Sequence, residues 1–317
     1  MIDVDQVATL AKVSRATVSR AFSRPNLVNQ KTRERVLEVA GQLGYQPNQL
    51  ASALRRGQSQ SIGLIISDVL NPGNALLVKG VQDAAAKRDY TVFIFNTDED
   101  ADKERKALET LRTHMPQGLI IMPTAGAKEN LRLVDKLPVI ELDRASGIAE
   151  AHTVMVNNIE GAKTAVQHLT ALGHRRIGMV AGSLDISTAL ERLEGYKRAL
   201  DEAGIAYDED LVQVANHREE GGRLAAQNLL SRPHDERPTA LFVGNNEMTI
   251  GAIFAARDLG LKIPQDLSIV GFDDSRWARL LEPSITVVSQ PGYELAYLAC
   301  ETLLERLERG KTRRPIQ

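Results

Sequence analysis

The spacing of apolar positions changes along the chain. In its first part the period is helical: Val4, Val7, Ala8 and Ala11 predict a short first helix, opened by Asp3 as N-cap with Gln6 three residues on, as a capping box requires. Ser14 can cap a second helix over 15–22, with Val18, Ala21 and Phe22 turned inward and Arg15, Ala16, Ser19 and Arg20 outward. Two helices so closely spaced make a helix-turn-helix candidate. Such a turn usually takes glycine because one residue needs a positive φ, and the position that falls there carries Lys12. A third helix is predicted from Asn29 to Leu43, stopped by Gly44. Val7, Val18, Phe22, Val36 and Val39 would form one small core.

Pro47 then interrupts the pattern. Residues 48–56 read as a marginal helix with Leu50, Ala53 and Leu54 apolar and too few partners to bury them. The segment is either a plain interdomain linker or a hinge that completes its folding on DNA, with Leu54 beside Arg55 and Arg56 inserting into a minor groove.

From Ser61 the apolar residues gather into short, nearly continuous runs: 61–67, 91–96, 118–122, 138–143, 176–181, 240–243 and 268–272. Runs of this kind suit parallel strands buried on both faces, and the amphipathic stretches between them suit right-handed crossover helices. The predicted class is α/β: a three-helix head and hinge helix, then a doubly wound core. An internal echo divides that core in two. Ile62-Gly63-Leu64 with Gly80-Val81 downstream parallels Ile177-Gly178-Met179 with Gly195-Tyr196. A last helix over 292–309, with Leu295, Leu298, Thr302, Leu303 and Leu307 on one face, reads as core, and Cys300 as packing.

Composition narrows the function classes. At 317 residues the chain has length for about two folding units, and its 25% charged and 43% hydrophobic residues are ordinary globular usage. No apolar run approaches the ~20 residues of a membrane span, and the first residues are polar where a signal peptide would be greasy, so a soluble cytoplasmic protein is expected. A single cysteine excludes an internal disulfide, and no Cys/His cluster has metal-ligand spacing, so neither cofactor nor metal is expected. Charge is unevenly distributed. Residues 1–60 hold nine Lys/Arg against four acids, net +5, which leaves −7 for the rest of a chain whose total is −2. A basic head on an acidic body is the pattern of one part meeting a polyanion.

In the head, the second helix offers its first turn to a major groove. Arg15 and Arg20 are the base-edge candidates because the guanidinium fork matches the O6/N7 pair of guanine. Lys31 and Arg33 suit phosphate contacts. Each arginine taken alone is equally well a solubilising surface residue. In the body, ligands of open α/β sheets bind at the carboxyl ends of strands. Those ends carry Asp68, Asn71, Asn96, Asp143, Arg144, Asn157, Asn158, Arg192, His217, Asn245, Asn246, Asp273, Asp274 and Gln290. Amides, carboxylates and guanidinium groups can bond the vicinal hydroxyls of a sugar or nucleoside. Singly, each is more simply a turn or helix-cap residue; together, at successive strand ends, they read as a pocket.

Val7-Ala8, Val13-Ser14, Thr17-Val18-Ser19-Arg20, Thr32-Arg33, Gly44-Tyr45, Pro47-Asn48, Leu54 and Ile62-Gly63-Leu64 resemble the LacI/GalR family of bacterial transcription repressors. The likeness continues through Leu142-Asp143-Arg144, Leu172-Gly173-His174, Arg192-Leu193-Glu194-Gly195-Tyr196, Gly271-Phe272-Asp273-Asp274 and Ser289-Gln290-Pro291. It implies an effector core similar to periplasmic sugar-binding proteins. It also implies that Arg15, Ala16 and Arg20 read the major groove and that Leu54 intercalates at the centre of a palindromic operator. The DNA-contact set expected is Arg15, Ala16, Thr17, Ser19, Arg20, Asn29, Lys31, Thr32, Leu54 and Arg55. For the effector, the resemblance implies Arg192, Asn245 and Asp273 as principal contacts, Asp143 and Gln290 as secondary ones, and His217 where an aromatic often stacks; Asp68, Asn74, Arg144 and Asn158 complete that set. The chain departs from the family at Gln6, Lys12, Gly73, Asn74 and Asn246.

The division expected is a head over 1–46, a hinge over 47–60 and a core over 61–317, with one subdomain of about 61–156 and 291–317 and another of about 157–290. The function expected is a non-enzymatic, sequence-specific DNA-binding regulator of the repressor kind. Its partners would be a palindromic operator, a small polar sugar-like or nucleoside-like effector, and further copies of itself as a dimer or tetramer, with no membrane partner. Residues 74–86 are the expected interface helix. The competing reading, a sugar-binding or sugar-transforming protein with the same core, lacks a dinucleotide, Walker or nucleophile-elbow motif.

Overall fold

The computed structural model describes residues 3–23, 25–45, 59–149 and 151–312, and the chain divides into two compact units, 1–59 and 60–317. Among the described residues no helix is long and apolar enough to cross a membrane.

The first unit holds α1 (Val4–Leu10), α2 (Arg15–Ser23) and α3 (Gln30–Leu43). Asp3 accepts from the backbone of Asp5 and Gln6 while the Gln6 side chain returns to the Asp3 N–H, so the capping box is complete. Lys12 sits in the α1–α2 turn at φ 52°, where the turn demands the left-handed region although a side chain is present. Gly44 ends α3 at φ 66°. Val7, Ala11, Val18 and Val36 are fully buried, with Phe22 edge-on to Tyr45 at 6.0 Å on the flank. Three short helices with so few apolar groups are stable only because all three share one contact zone.

The second unit contains two parallel sheets. In the first lobe, β1 (Ser61–Ile66), β2 (Thr91–Asn96), β3 (Gly118–Ile121), β4 (Val139–Leu142) and β5 (His152–Val154) lie in the order β2-β1-β3-β4-β5. In the second, β6 (Ile177–Ala181), β7 (Val212–Val214), β8 (Ala240–Val243), β9 (Ser268–Phe272) and β10 (Thr286–Val288) lie in the order β7-β6-β8-β9-β10. The two orders are the same, so the lobes are topological copies. Each reverses direction between its first and third strands, the switch point at which a crevice opens beyond the strand ends.

Helices cover both faces of each sheet. In the first lobe α4 (Pro72–Ala86) and the C-terminal α11 (Gly292–Thr312) pack on one face, through Leu77, Val81, Ala296, Ala299, Cys300 and Leu303, and α5 (Ala101–Thr113) packs on the other. The short α6 (Ala127–Asn130) lies beside α5. In the second lobe α7 (Asn158–Ala171) and α8 (Ser187–Glu202) cover one face, and α9 (Glu219–Leu230) and α10 (Asn246–Asp258) the other.

The sequence echo has a packing cause. A Cβ on Gly80 would strike the Tyr293 carbonyl of α11, and one on Gly195 would strike the Ile159 carbonyl of α7 and come within 2.8 Å of Ala162 Cβ. Each lobe joins a helix pair at a glycine because the two backbones touch there. This close approach also shifts the buried face of α11. Ala296, Ala299, Cys300, Leu303 and Leu304 are buried, whereas Leu298, expected in the core, is 56% exposed. Burial raises the Cys300 thiol to about 12, consistent with packing.

Three strands had no signal in the sequence pattern: β5, β7 and β10. Each is three residues long and lies at a sheet edge. An edge strand is bonded on one side only and needs no continuous apolar run.

Candidate effector cleft and DNA-reading helix

The two lobes place their strand ends around one cavity. Ser67 and Asp68 follow β1, Glu99 follows β2, and Asp143 and Arg144 follow β4. From the second lobe come His217 and Arg218 after β7, Asn245 after β8, Asp273 and Asp274 after β9, and Gln290 after β10. Four of these residues hold a positive φ although none is glycine: Glu99 at 63°, Asp143 at 69°, His217 at 64° and Asp273 at 74°. A left-handed backbone at a side-chain-bearing residue is strained, and such strain collects where a side chain must be aimed at a ligand.

Arg192, on the first turns of α8, is the keystone of the second lobe's wall. It is 5% exposed, donates from Nε to Asn158 Oδ1 at 3.0 Å and from Nη1 to the Gly244 carbonyl at 2.5 Å, and stacks on Phe272 at 3.7 Å. Asp273 Oδ2 stands 3.9 Å from its Nη1, and Gln290 donates to the other oxygen of Asp273. Asn245 caps α10 through Met248 N–H and donates to the His217 carbonyl at 2.9 Å.

The opposite wall rests on a buried ion pair. Glu99 receives Arg144 Nη1 at 2.7 Å and Nη2 at 3.0 Å, a two-point contact. Burial pushes the Glu99 carboxyl up, but the Arg144 charge and hydrogen bonds outweigh it and hold it below the usual range. The same pairing raises Arg144 against the desolvation that opposes its charge. Arg144 Nε is buried with no hydrogen-bond partner among the described residues. Next to it, desolvation raises Asp143 despite the pull of Arg144 and Arg192. His217 is pulled down to about 4, first by burial and then by Arg144, so its imidazole is neutral at pH 7. Its ring lies where a Cβ of Gly182 would have to stand, so the glycine after β6 makes room for the histidine.

Nine of the ten residues expected to contact an effector line this cavity: Asp68, Asn74, Asp143, Arg144, Arg192, His217, Asn245, Asp273 and Gln290. Asn74 is nearly buried and donates to Ser67 Oγ at 3.1 Å and the Asp68 carbonyl at 2.7 Å. Asn158, the tenth, stands behind the wall: 1% exposed, it joins Arg192 to Glu191. Asn71 and Asp274, named among the polar strand ends, also line the cavity, as do Glu99, Arg218 and Glu247, which were not expected there. The acidic run 98–100 directly after β2 was a signal for Glu99, since that position is also a strand end.

The head presents a separate surface. Arg15, Ala16 and Arg20 are exposed on α2, while Thr17 and Ser19 are half-buried. Ser14 caps α2, bonding Thr17 N–H at 3.1 Å and Thr17 Oγ1 at 2.9 Å. Arg15 pairs with Asp5 of α1, and Arg20 Nε donates to the Ala16 carbonyl at 3.1 Å. Asn29 is the N-cap of α3, accepting from Lys31 N–H at 3.0 Å; Lys31 is exposed and Thr32 half-buried. Leu54 and Arg55 lie outside the described residues, as do residues 47–58 of the hinge expected around them.

The head over residues 3–48 matches the bacterial regulatory proteins of the lacI family, and residues 166–317 match a periplasmic binding protein-like domain. The whole chain is 35% identical to the ribose operon repressor of Haemophilus influenzae, over 97% of this chain and 92% of the relative. It belongs to the lacI family. A second relative, catabolite control protein A of Priestia megaterium, is 34% identical over 97% of this chain and 93% of its own. Among solved structures, the Lac repressor bound to ONPG in the repressed state is similar at a TM-score of 0.85 and 26% identity, covering 98% of this chain and 94% of that one. A complex of the regulator CelR with cellobiose is similar at a TM-score of 0.73 and 29% identity, covering 100% and 96%. This lacI-family chain is accordingly a DNA-binding transcriptional regulator with a small-molecule effector, not an enzyme.

Proposed function

We propose that residues 1–46 read a palindromic operator, that 47–60 form the hinge, and that 61–317 bind a small polar effector whose occupancy sets operator affinity. The observation that carries this reading is the convergence on one cavity of nine of the expected polar residues from both lobes, seven at strand ends and Asn74 and Arg192 on helices. The effector would be sugar-like or nucleoside-like, because the groups lining the cleft are amides, carboxylates and guanidinium groups that can bond hydroxyls at two points. Arg192, Asn245 and Asp273 would be the main contacts, with Asp143 and Gln290 secondary and the neutral His217 against a ligand face. Arg15, Ala16 and Arg20 would contact base edges, and Lys31 the phosphates.

Because the cavity is walled by both lobes, a ligand that bonds both stabilises one lobe arrangement over another, and only such differential binding can alter DNA occupancy. Two heads are required to read a palindrome. Exposed Val69, Leu70 and Leu76 at the start of α4, with Leu280 and Leu281 in the second lobe, support a dimer surface; Leu70 and Leu280 are 84% and 80% exposed. A cytoplasmic location agrees with a target in chromosomal DNA.

The test is fluorescence anisotropy with inverted-repeat oligonucleotides over a salt series, with and without candidate sugars and nucleosides. Affinity should fall steeply with salt and shift with one ligand class. A chain that elutes as a monomer and ignores every inverted repeat refutes the reading.

A further inference from the structure

Six carboxyl groups line the cavity, those of Asp68, Glu99, Asp143, Glu247, Asp273 and Asp274, against three guanidinium groups. Each guanidinium makes contacts within the protein, but only Arg144 has both terminal nitrogens committed to a carboxylate. Arg192 serves Asn158, the Gly244 carbonyl and Asp273. Arg218 reaches the Asp98 carbonyl at 3.3 Å and its carboxylate at 3.8 Å. Arg144 gives both terminal nitrogens to Glu99. A guanidinium fork is the group that would grip a phosphate or carboxylate at two points, and in this cleft the Arg144 fork faces the protein's own carboxylate. What remains is Nε, one donor beside the Asp143 carboxyl at 3.8 Å. One donor beside one acceptor suits a hydroxyl, which can accept from the first and give to the second.

Glu99 is held there deliberately. Its carboxylate is only 21% exposed, and it sits at φ 63° directly after Asp98 at φ 53°, two successive side-chain-bearing residues in the left-handed region. A plain surface salt bridge does not need that backbone.

We propose that Glu99 is a specificity-determining residue: by saturating the Arg144 fork it makes the cleft select uncharged polyhydroxy effectors and reject phosphorylated or carboxylated ones. This rests on the effector reading of the same cleft. The mechanism is exclusion, since an anion entering finds carboxylates in excess and the Arg144 fork already filled by Glu99, so its desolvation is poorly offset. His217, neutral at pH 7, supplies no charge either.

The test uses the full chain and matched probes: ribose beside ribose 5-phosphate, glucose beside glucose 6-phosphate and gluconate, and inorganic phosphate alone, followed by thermal shift and calorimetry. In the unsubstituted protein the neutral member of any responding pair should bind at least tenfold tighter, and inorganic phosphate should have no Arg144-dependent effect. In Glu99→Gln the charged-to-neutral affinity ratio should rise at least tenfold, and inorganic phosphate should now raise the Tm. Adding Arg144→Met should erase both gains. A loss of packing alone would weaken both members of a pair and leave the ratio unmoved. The proposal is overturned if the unsubstituted protein binds a charged member as tightly as its neutral partner, a result that needs no variant to fold, or if Glu99→Gln changes neither the ratio nor the phosphate response. A protein deaf to every sugar and nucleoside refutes the effector reading instead, while the phosphate arm still reports on the Arg144 fork.

Discussion

Arg192→Ala should unsettle the second lobe as well as blind the cleft. The side chain is 5% exposed and serves Asn158 Oδ1, the Gly244 carbonyl and the Asp273 carboxylate while covering the Phe272 ring. Alanine takes the donor from Asn158 Oδ1 and the Gly244 carbonyl, leaves Asp273 with Gln290 but without its cation, and opens space over the aromatic face. Removing one partner of a buried ionic cluster costs about 3–5 kcal/mol, because the group left behind stays desolvated and unpaired. For a domain of this size each kcal/mol lowers the Tm by about 2–4 °C, so the expected drop is about 6–20 °C. Calorimetry of the unliganded protein measures it directly. Gln290→Ala is the comparison: half-buried, it loses one bond to Asp273, which should cost about 1 kcal/mol while still weakening the effector response. A Tm for Arg192→Ala within about 2 °C of the unsubstituted protein would falsify the keystone reading, and would mean that Arg192 faces the ligand alone.

Gly195→Ala should force α8 away from α7, since the new methyl meets the Ile159 carbonyl and Ala162; a loss of about 1–3 kcal/mol in urea denaturation is expected, and an unchanged midpoint would contradict the contact. His217 titrates at about 4 when folded and near 6.5 when unfolded, so the unfolded chain takes up its proton first and stability falls as the pH drops from about 6.5 toward 4. At pH 5 this amounts to at most about 2 kcal/mol. His217→Asn, which tolerates the positive φ, should flatten that part of the stability–pH curve, and a slope identical to the parent's argues against a buried neutral imidazole. Lys31→Ala should weaken operator binding alike for all sequences and reduce the salt slope by about one; a change in sequence preference would assign Lys31 to base reading instead.

Local rules written in the chain determined much of this protein. The Asp3/Gln6 capping box, the Lys12 turn, the Gly44 stop and seven of the strands follow from residue type and spacing, because caps, turns and periodicity act over a few residues, although β2, read as buried on both faces, is an edge strand with no fully buried residue. The polar strand ends were legible for the same reason: once strands are placed, their carboxyl ends are placed too. Tertiary structure decided what depends on partners remote in sequence. The edge strands β5, β7 and β10 exist because a neighbour offers them a ladder, not because their own residues are strongly apolar. Leu298 faces outward because Gly80 brings α4 against a different stripe of α11. Asn158 meets Arg192 from 34 residues away, and Glu99 meets Arg144 from 45. Hydrogen bonds and charges act at a few ångströms, and which groups come within that range is fixed by how the sheets twist and the helices cross.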